Sequence, residues 1–383
     1  MKRLFVVLTL ILSKTLFCQE TVVETFNSKI LNEERVIRIH IPKTFDTFKK
    51  FPLFLTLDGE YMFYNLVGNS ELLLATEKIP ETVIVGIDQN YPDFSKKYMR
   101  WQDCNYDAKK GKLRGKGIEF KKFITQELIP YLTSKYKIGN YKVLAGHSLT
   151  ASYTLFLLKD DAFTSVIALS PYISKSLSTK IIEKLSTSNR FVSLYVSTSE
   201  HDLQGHLKTT KKMDSLLITG TARLDAQYIF NFFEKETHYS LINRSFPVAL
   251  QSIFREYQLI TEKEIEFEKD VLAFLKNKYK NIKEHYDIDL PIRKDDLETI
   301  YWVAEEREDW ELLQRIGDFS IANFPAYSDG YFMLSAVAEQ KKKYTKDLEL
   351  YQKGYERLGD DVLNKVDYYK NIERLQKIIE NKE

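Results

Sequence analysis

Between about residue 34 and residue 260, short apolar runs alternate with longer amphipathic ones, and this alternation leaves few folds open. The runs "FPLFLTLDG", "ETVIVGID", "YKVLAG", "SVIALS", "RFVSLYVS" and "AQYIFNFF" have strand length and strand composition. Several are apolar enough to be covered on both faces. "RVIRIHIP" instead alternates with period two and stops at Pro42, as an edge strand does. Among the intervening stretches, "EFKKFITQELIPYLTSKY" sets Phe120, Phe123, Ile124, Leu128 and Leu132 on one helical stripe. "ASYTLFLLK" and "TTKKMDSLLI" read the same way. Strands alternating with helices predict an α/β fold, a doubly wound and mostly parallel sheet covered by helices on both faces.

Past about residue 262 the strand pattern stops, and "EIEFEKDVLAFLKNKYKNIKEHY" opens a smaller, all-helical C-terminal region. A weak period of about thirty-four positions aligns Leu297, Ile300 and Ala304 with Tyr331, Leu334 and Ala338, and Pro325 closes the first repeat. The spacing is that of a tetratricopeptide helix pair, and an ordinary helical extension fits it as well. At the other end, Lys2 and Arg3 precede "LFVVLTLILS", a run too short to cross a bilayer as a helix. It predicts an export signal over residues 1–19, cut between Phe17 and Thr21, and a periplasmic or secreted protein. The alternative is a lipid anchor on Cys18, although Phe17 is bulky where a small residue is expected. The organisation expected is thus signal, α/β domain over 24–261 and helical region over 262–383. With Cys18 removed, Cys104 is a lone thiol that can form no internal disulfide. The exported fold must then be held by its core, for which the 24 Tyr and 24 Phe are ample. A formal charge of +2 without a dense basic stripe argues against nucleic acid as a partner.

The stretch "LAGHSLTAS" carries the chemistry. It sits between a strand and a helix and matches G-x-S-x-G except at its last position, where Thr150 stands for Gly. Such a turn lifts a serine above the sheet at a helix N-terminus, which makes Ser148 the candidate nucleophile and the Leu149 N–H one oxyanion donor. A nucleophilic serine needs a base and a group to hold the base. Chain order offers Glu200 or Asp202 after "RFVSLYVS" and His238 after the later strand, each on the edge where open sheets bind ligands. Gly59 of the "LDG" loop lets the backbone approach a substrate and supply the second donor. Tyr61 and His147 are further candidates for the pocket wall. His40 reads as structural. His201 and His206 flank Asp202 without a recognisable metal-ligand spacing, so no metal and no cofactor are expected.

"FPLFLTLDGEYMF", "TVIVGID", the helix-to-elbow segment, "VIALSPYI" and "ETHYSLINRSFPVAL" together resemble the esterase D/enterochelin-esterase-like family of α/β-hydrolases, over roughly residues 30 to 258. The resemblance implies an α/β-hydrolase fold and an ester hydrolase. It implies Gly59 with Glu60 at the oxyanion hole, Ser148 as nucleophile and His238 as base. It prefers Glu200, at the end of "VSTSE", over Asp202 as the acid. "YMRWQDCNYD" resembles the family's Arg-x-x-Asp segment, giving Arg100 and Asp103 as structural or substrate-contacting residues. The helical tail resembles extensions that some exported bacterial members carry. The departure is Thr150, a β-branched residue where a helix usually approaches the strand closely.

The expected function is an exported serine esterase acting on a small-molecule carboxylic ester through a Ser-His-acid triad. Two alternatives stand beside it. One is an impaired hydrolase that binds a protein partner through its helical tail, and the other is an acyltransferase using the same triad.

Overall fold

The computed structural model describes residues 20–42, 49–89, 99–158, 162–219, 226–359 and 362–381. The export run and Cys18 lie outside the described residues. Two compact units divide the chain, Met1–Tyr257 with His285–Ile288, and Gln258–Glu284 with Asp289–Glu383.

The first unit begins with β1 (Glu20–Ser28), β2 (Glu33–Ile41) and β3 (Phe51–Thr56), followed by α1 (Gly59–Ala75) and β4 (Val83–Ile87). A short helix α2 (Arg100–Asp103) and a ribbon of β5 (Tyr106–Asp107) and β6 (Lys112–Leu113) come next. Helix α3 (Lys116–Lys122) continues through a π-helical stretch, Phe123–Leu128, into α4 (Ile129–Tyr136). Pro130 has no N–H to give to the preceding turn, and the widened stretch just before it accommodates that loss. Strands and helices then alternate as β7 (Ile138–His147), α5 (Leu149–Leu157), β8 (Ser165–Leu169), α6 (Lys175–Thr187), β9 (Ser193–His201), α7 (Gln204–Thr219), β10 (Gln227–Thr237) and α8 (Leu241–Ile253).

Eight strands form one sheet in the order β1-β2-β4-β3-β7-β8-β9-β10, parallel from β4 to β10 and antiparallel at β2 and β1. The parallel core matches the expected doubly wound class. "RVIRIHIP" is β2, but it does not lie at the edge, because β1 pairs with it along its whole length. The edge is β1, whose "ETVVETFNS" is half exposed and carries too few apolar residues to announce a strand.

Every residue of β3, β4 and β8 is buried, as strands covered on both faces require. Alternate side chains divide between the faces. Leu53 and Leu55 of β3 join one cluster with Phe120, Phe123, Ile124, Leu128 and Leu132, the stripe expected for the α3–α4 segment. The chain leaves β3 for β4 on one side and returns to lay β7 on the other. Beyond the carboxyl ends of β3 and β7 the connections part, which is where open α/β sheets bind ligands.

The second unit comprises α9 (Glu262–Ile265), α10 (Val271–Tyr286, whose last two residues belong to the first unit), α11 (Lys294–Glu306), α12 (Trp310–Asn323), α13 (Asp329–Gln340), α14 (Tyr344–Tyr355) and α15 (Val362–Glu380). From α11 onward each helix packs on the next. Leu297, Ile300, Ala304, Tyr331 and Ala338 are all buried. The division expected after residue 261 falls instead after Tyr257, and four later residues return to the first unit. Among them Tyr286 is 1% exposed, lies 5.0 Å from the Tyr141 ring, and gives its hydroxyl to the Ile253 carbonyl at 3.0 Å. No described helix is long and apolar enough to cross a membrane.

Candidate active site

The turn between β7 and α5 holds Ser148 at φ 62° and ψ −115°. A non-glycine residue there costs on the order of 1–3 kcal/mol and persists only where its surroundings enforce it. Ser148 donates its N–H to the Leu169 carbonyl at 2.8 Å, and its carbonyl accepts from Ser152 N–H at 3.0 Å. Gly146 is obligatory for the same turn, since a Cβ there would lie 2.7 Å from the Thr150 carbonyl carbon.

Thr150 does not obstruct this geometry. Its Oγ1 accepts from the His147 N–H at 2.8 Å and can donate to Asp58 Oδ2 at 2.7 Å or to the His147 carbonyl at 2.9 Å. A hydroxyl with no solvent access is costly unless bonded, and this one is bonded on both sides. Asp58, also fully buried, follows β3 in a left-handed conformation, φ 54°. Arg100 grips it bidentately, Nε to Oδ1 at 2.6 Å and Nη2 to Oδ2 at 3.0 Å, and Nη2 also reaches the His147 carbonyl at 2.8 Å. Tyr61 donates to Asp58 Oδ2 at 2.9 Å. Burial, followed by the neighbouring Asp58 charge, pushes the Tyr61 phenol well up, so it stays protonated. Arg100 thus serves the elbow, while Asp103 turns away from it into a buried pair with Arg35 at 2.7 and 2.8 Å.

Gly59 also has a packing role. A Cβ on it would meet Asp88 Oδ1 at 2.7 Å and the backbone of Gly86 and Ile87 at 2.9 Å, so its bareness lets α1 start against β4. The Glu60 side chain accepts from Gln89 N–H at 3.1 Å and fastens the same corner.

The acid preferred from the sequence is not the one beside the base. Glu200 is exposed on the end of β9 and accepts from the Lys235 N–H of β10 at 2.9 Å. Asp202 comes just after a turn, closed by its N–H on the Ser199 carbonyl at 3.3 Å, and its side chain is wholly buried. His238 Nδ1 lies 2.6 Å from Asp202 Oδ1. Three further donors serve the same carboxylate, Ser170 Oγ at 2.7 Å, Leu203 N–H at 2.8 Å and Thr198 Oγ1 at 2.7 Å. Burial pushes the Asp202 carboxyl up, but these hydrogen bonds, that from His238 first, outweigh it and hold it at about 2.

Neither Ser170 nor Thr198 was singled out from the sequence, although Ser170 closes the quoted "SVIALS" run. Like Ser148, Ser170 ends its strand at positive φ, 51°. Its carbonyl accepts from His206 Nδ1 at 2.7 Å. Burial, with His238 nearby, lowers the pKa of His206. Asp202, His206 and His238 stand within ligand reach of one another, but their facing atoms are already bonded to each other or to Ser170. His201 is exposed beside Glu200, away from that cluster. His40 is buried between Thr21 and Glu71, in the structural role expected.

His147 joins the elbow to the His238 loop. Its Nε2 lies 2.8 Å from the His238 carbonyl, an acceptor only, so Nε2 carries the proton. Its Nδ1 is 3.2 Å from the Tyr61 hydroxyl, and the His147 and His238 rings lie 4.6 Å apart. Burial above all, then the neighbouring His238, pushes His147 down to about 3. Exposed rings surround the three histidines, with Tyr239 5.2 Å from His238, Tyr172 6.0 Å from His206 and Tyr61 6.1 Å from His147.

A family model described as "Putative esterase" matches residues 28–238, ending on His238 itself. A Bacillus subtilis (strain 168) protein described as "Uncharacterized protein YjcH" is 28% identical over 187 residues, 46% of this chain and 72% of that one. A crystal structure of an uncharacterised protein from Capnocytophaga ochracea DSM 7271 superimposes with TM-score 0.76 at 19% identity, over 94% of this chain and all of that one. An IroE-like serine hydrolase from Shewanella oneidensis gives TM-score 0.56 at 19% identity, over 78% of this chain and 98% of that one. At these identities both solved structures speak for the fold, and the first repeats it through the helical unit.

The Thr150 network sets one expectation. Thr150→Val keeps the shape but leaves Asp58 and the His147 N–H short of a partner, and should cost about 1–3 kcal/mol in denaturant unfolding. Thr150→Ser should recover most of that loss, and equal midpoints for the two variants would discount the hydroxyl.

His147 sets another. Its folded pKa lies below its unfolded value of about 6.5, so the stability it contributes is complete above that pH and is lost as pH falls towards about 3. Between about pH 6.5 and 4.5, above the range where Asp202 titrates, His147→Gln should flatten the fall of unfolding free energy by up to about 1.4 kcal/mol per pH unit. Parallel curves for the two proteins would contradict this.

Proposed function

We propose, for a chain that belongs to the family described as "Putative esterase" and is a carboxylic ester hydrolase, that cleavage runs through an acyl-enzyme formed on Ser148. The observation carrying this reading is the 2.6 Å hydrogen bond from His238 Nδ1 to the buried Asp202 carboxylate, on a loop whose His238 carbonyl accepts from His147 Nε2, the neighbour of Ser148 in the elbow, at 2.8 Å. With Nδ1 committed to Asp202, Nε2 is the nitrogen left to take the Ser148 proton as Oγ attacks the ester carbonyl. Asp202 remains a carboxylate and stabilises the imidazolium that forms. The oxyanion lies between the Leu149 N–H, opening α5, and the N–H groups of Gly59 and Glu60, opening α1. His238 Nε2 then protonates the departing alcohol. Water, deprotonated by the same nitrogen, hydrolyses the Ser148 ester and releases the acid. The bonded state of Thr150 supports a competent elbow over an impaired one. The collar of Tyr61, Tyr172 and Tyr239 favours an ester with a flat, aromatic portion.

With p-nitrophenyl acetate and butyrate, Ser148→Ala should abolish turnover and fluorophosphonate labelling. His238→Ala should lose on the order of 10²–10⁴-fold. Asp202→Asn should cost well over tenfold, whereas Glu200→Gln should stay within about twofold, as a surface change does. Full activity in Ser148→Ala would overturn the mechanism, and a larger loss in Glu200→Gln than in Asp202→Asn would return the acid role to Glu200.

Export is part of the same proposal, motivated by Lys2, Arg3 and the apolar run after them. Sequencing of the secreted or periplasmic protein should read from near Gln19. An intact Met1 in the cytosol would refute export, and a lipidated Cys18 would establish the anchored alternative.

A further inference from the structure

The helical unit contains a cavity of about 500 Å³, walled by side chains of α11, α12, α13, α14 and α15. One wall is a continuous ladder of rings. Trp302 meets Tyr301 at 4.9 Å, Tyr301 meets Phe332 at 5.5 Å, and Phe332 meets Tyr351 and Tyr368 at 6.4 Å each. Trp302 is 52% exposed, while Tyr301 and Tyr351 are buried, so the ladder runs from solvent inward.

The charges on the lining are one-sided. The charged residues lining the cavity are Asp295, Glu298, Asp329, Asp367 and Lys294, with Asp367 also 3.5 Å from the Lys370 ammonium outside the lining. Lys294 is already committed, with its Nζ 3.3 Å over the Tyr327 ring and 3.6 Å from Asp329. Glu298 stands at the outer end of the ring ladder, 3.4 Å from the Trp302 indole nitrogen. A recess that combines aromatic rings with an excess of carboxylates is complementary to a cation that can stack.

We propose that this cavity receives an arginine side chain from an extended segment of a partner protein. Arginine fits better than lysine, because its planar guanidinium stacks on rings and its fork of donors matches a carboxylate, while lysine brings only a compact, strongly hydrated charge. The cavity exceeds one side chain, so residues flanking the arginine enter with it. This assignment uses no residue of the ester site and stands or falls separately from it.

The test is fluorescence anisotropy of fluorescein-labelled tetra-arginine with the whole protein at physiological ionic strength, followed in parallel by tryptophan emission. Saturable binding is expected, with tetra-lysine about tenfold weaker and the citrulline analogue not bound. Trp302→Ala and Glu298→Gln, both at exposed positions, should each weaken tetra-arginine about tenfold. Ser148→Ala should bind as the unaltered protein does, which keeps this result apart from the fate of the ester mechanism. Equal affinity for tetra-lysine, unchanged affinity in Trp302→Ala, or no saturation would overturn the proposal. Competition by free arginine amide as strong as by the peptide would overturn a protein segment as the occupant.

Discussion

Asp58 has no access to water, yet a buried carboxylate must be answered by donors, and Arg100, Tyr61 and Thr150 answer it from three separate elements. The carboxylate lies just past the end of β3 and its donors at the starts of α1, α2 and α5, so a single charge ties these loops together. Arg100 and Thr150 also bond the backbone of His147, directly behind Ser148. The strained conformation of Ser148 is therefore enforced from its N-terminal side by this network and from its own N–H by β8. Removing one donor would leave charge or backbone unpaired in a place water does not reach.

The same topology brings in the other partners. Ser170, Asp202 and His238 each follow a parallel strand, β8, β9 and β10, and neighbouring strands of equal direction present successive loops along one edge. Ser170 bonds the carboxylate that His238 also bonds, so the loop after β8 braces the loops after β9 and β10. Rigid strands thus bring together residues distant in sequence, and short turns supply the orientation.

The sheet was legible because strands covered on both faces have no choice but to be apolar, as β3, β4 and β8 are. Its edge was not, since β1 is half solvated and its alternation carries Glu and Thr where a core strand carries Val and Ile. Ser148 and His238 could be named as candidates because their places follow from strand ends. Choosing between Glu200 and Asp202 required knowing where β9 stops, and strand ends are what sequence reads least well. One turn, closed between Asp202 and Ser199, decides it. Thr150 looked like a defect because a pattern of residues records what usually fits, not what a hydroxyl can bond to. The partner that makes it fit, Asp58, was in the quoted loop but is reached only through the fold.

Three histidines crowd this site, and their surroundings assign them different work. His147 is buried, held neutral down to about pH 3, and spends its proton on the His238 carbonyl. His206 spends its Nδ1 proton on the Ser170 carbonyl, and its burial also disfavours charge. Both of those rings are bonded to neutral carbonyls, whereas His238 Nδ1 lies 2.6 Å from the Asp202 carboxylate. It is also 12% exposed, open to a substrate where His147 is not. The two rings at its flanks, 4.6 and 5.4 Å away, have pKa values lowered by burial and so disfavour a competing charge. Of the three, His238 alone combines access with a carboxylate partner, and that combination is what the general base proposed for Ser148 requires.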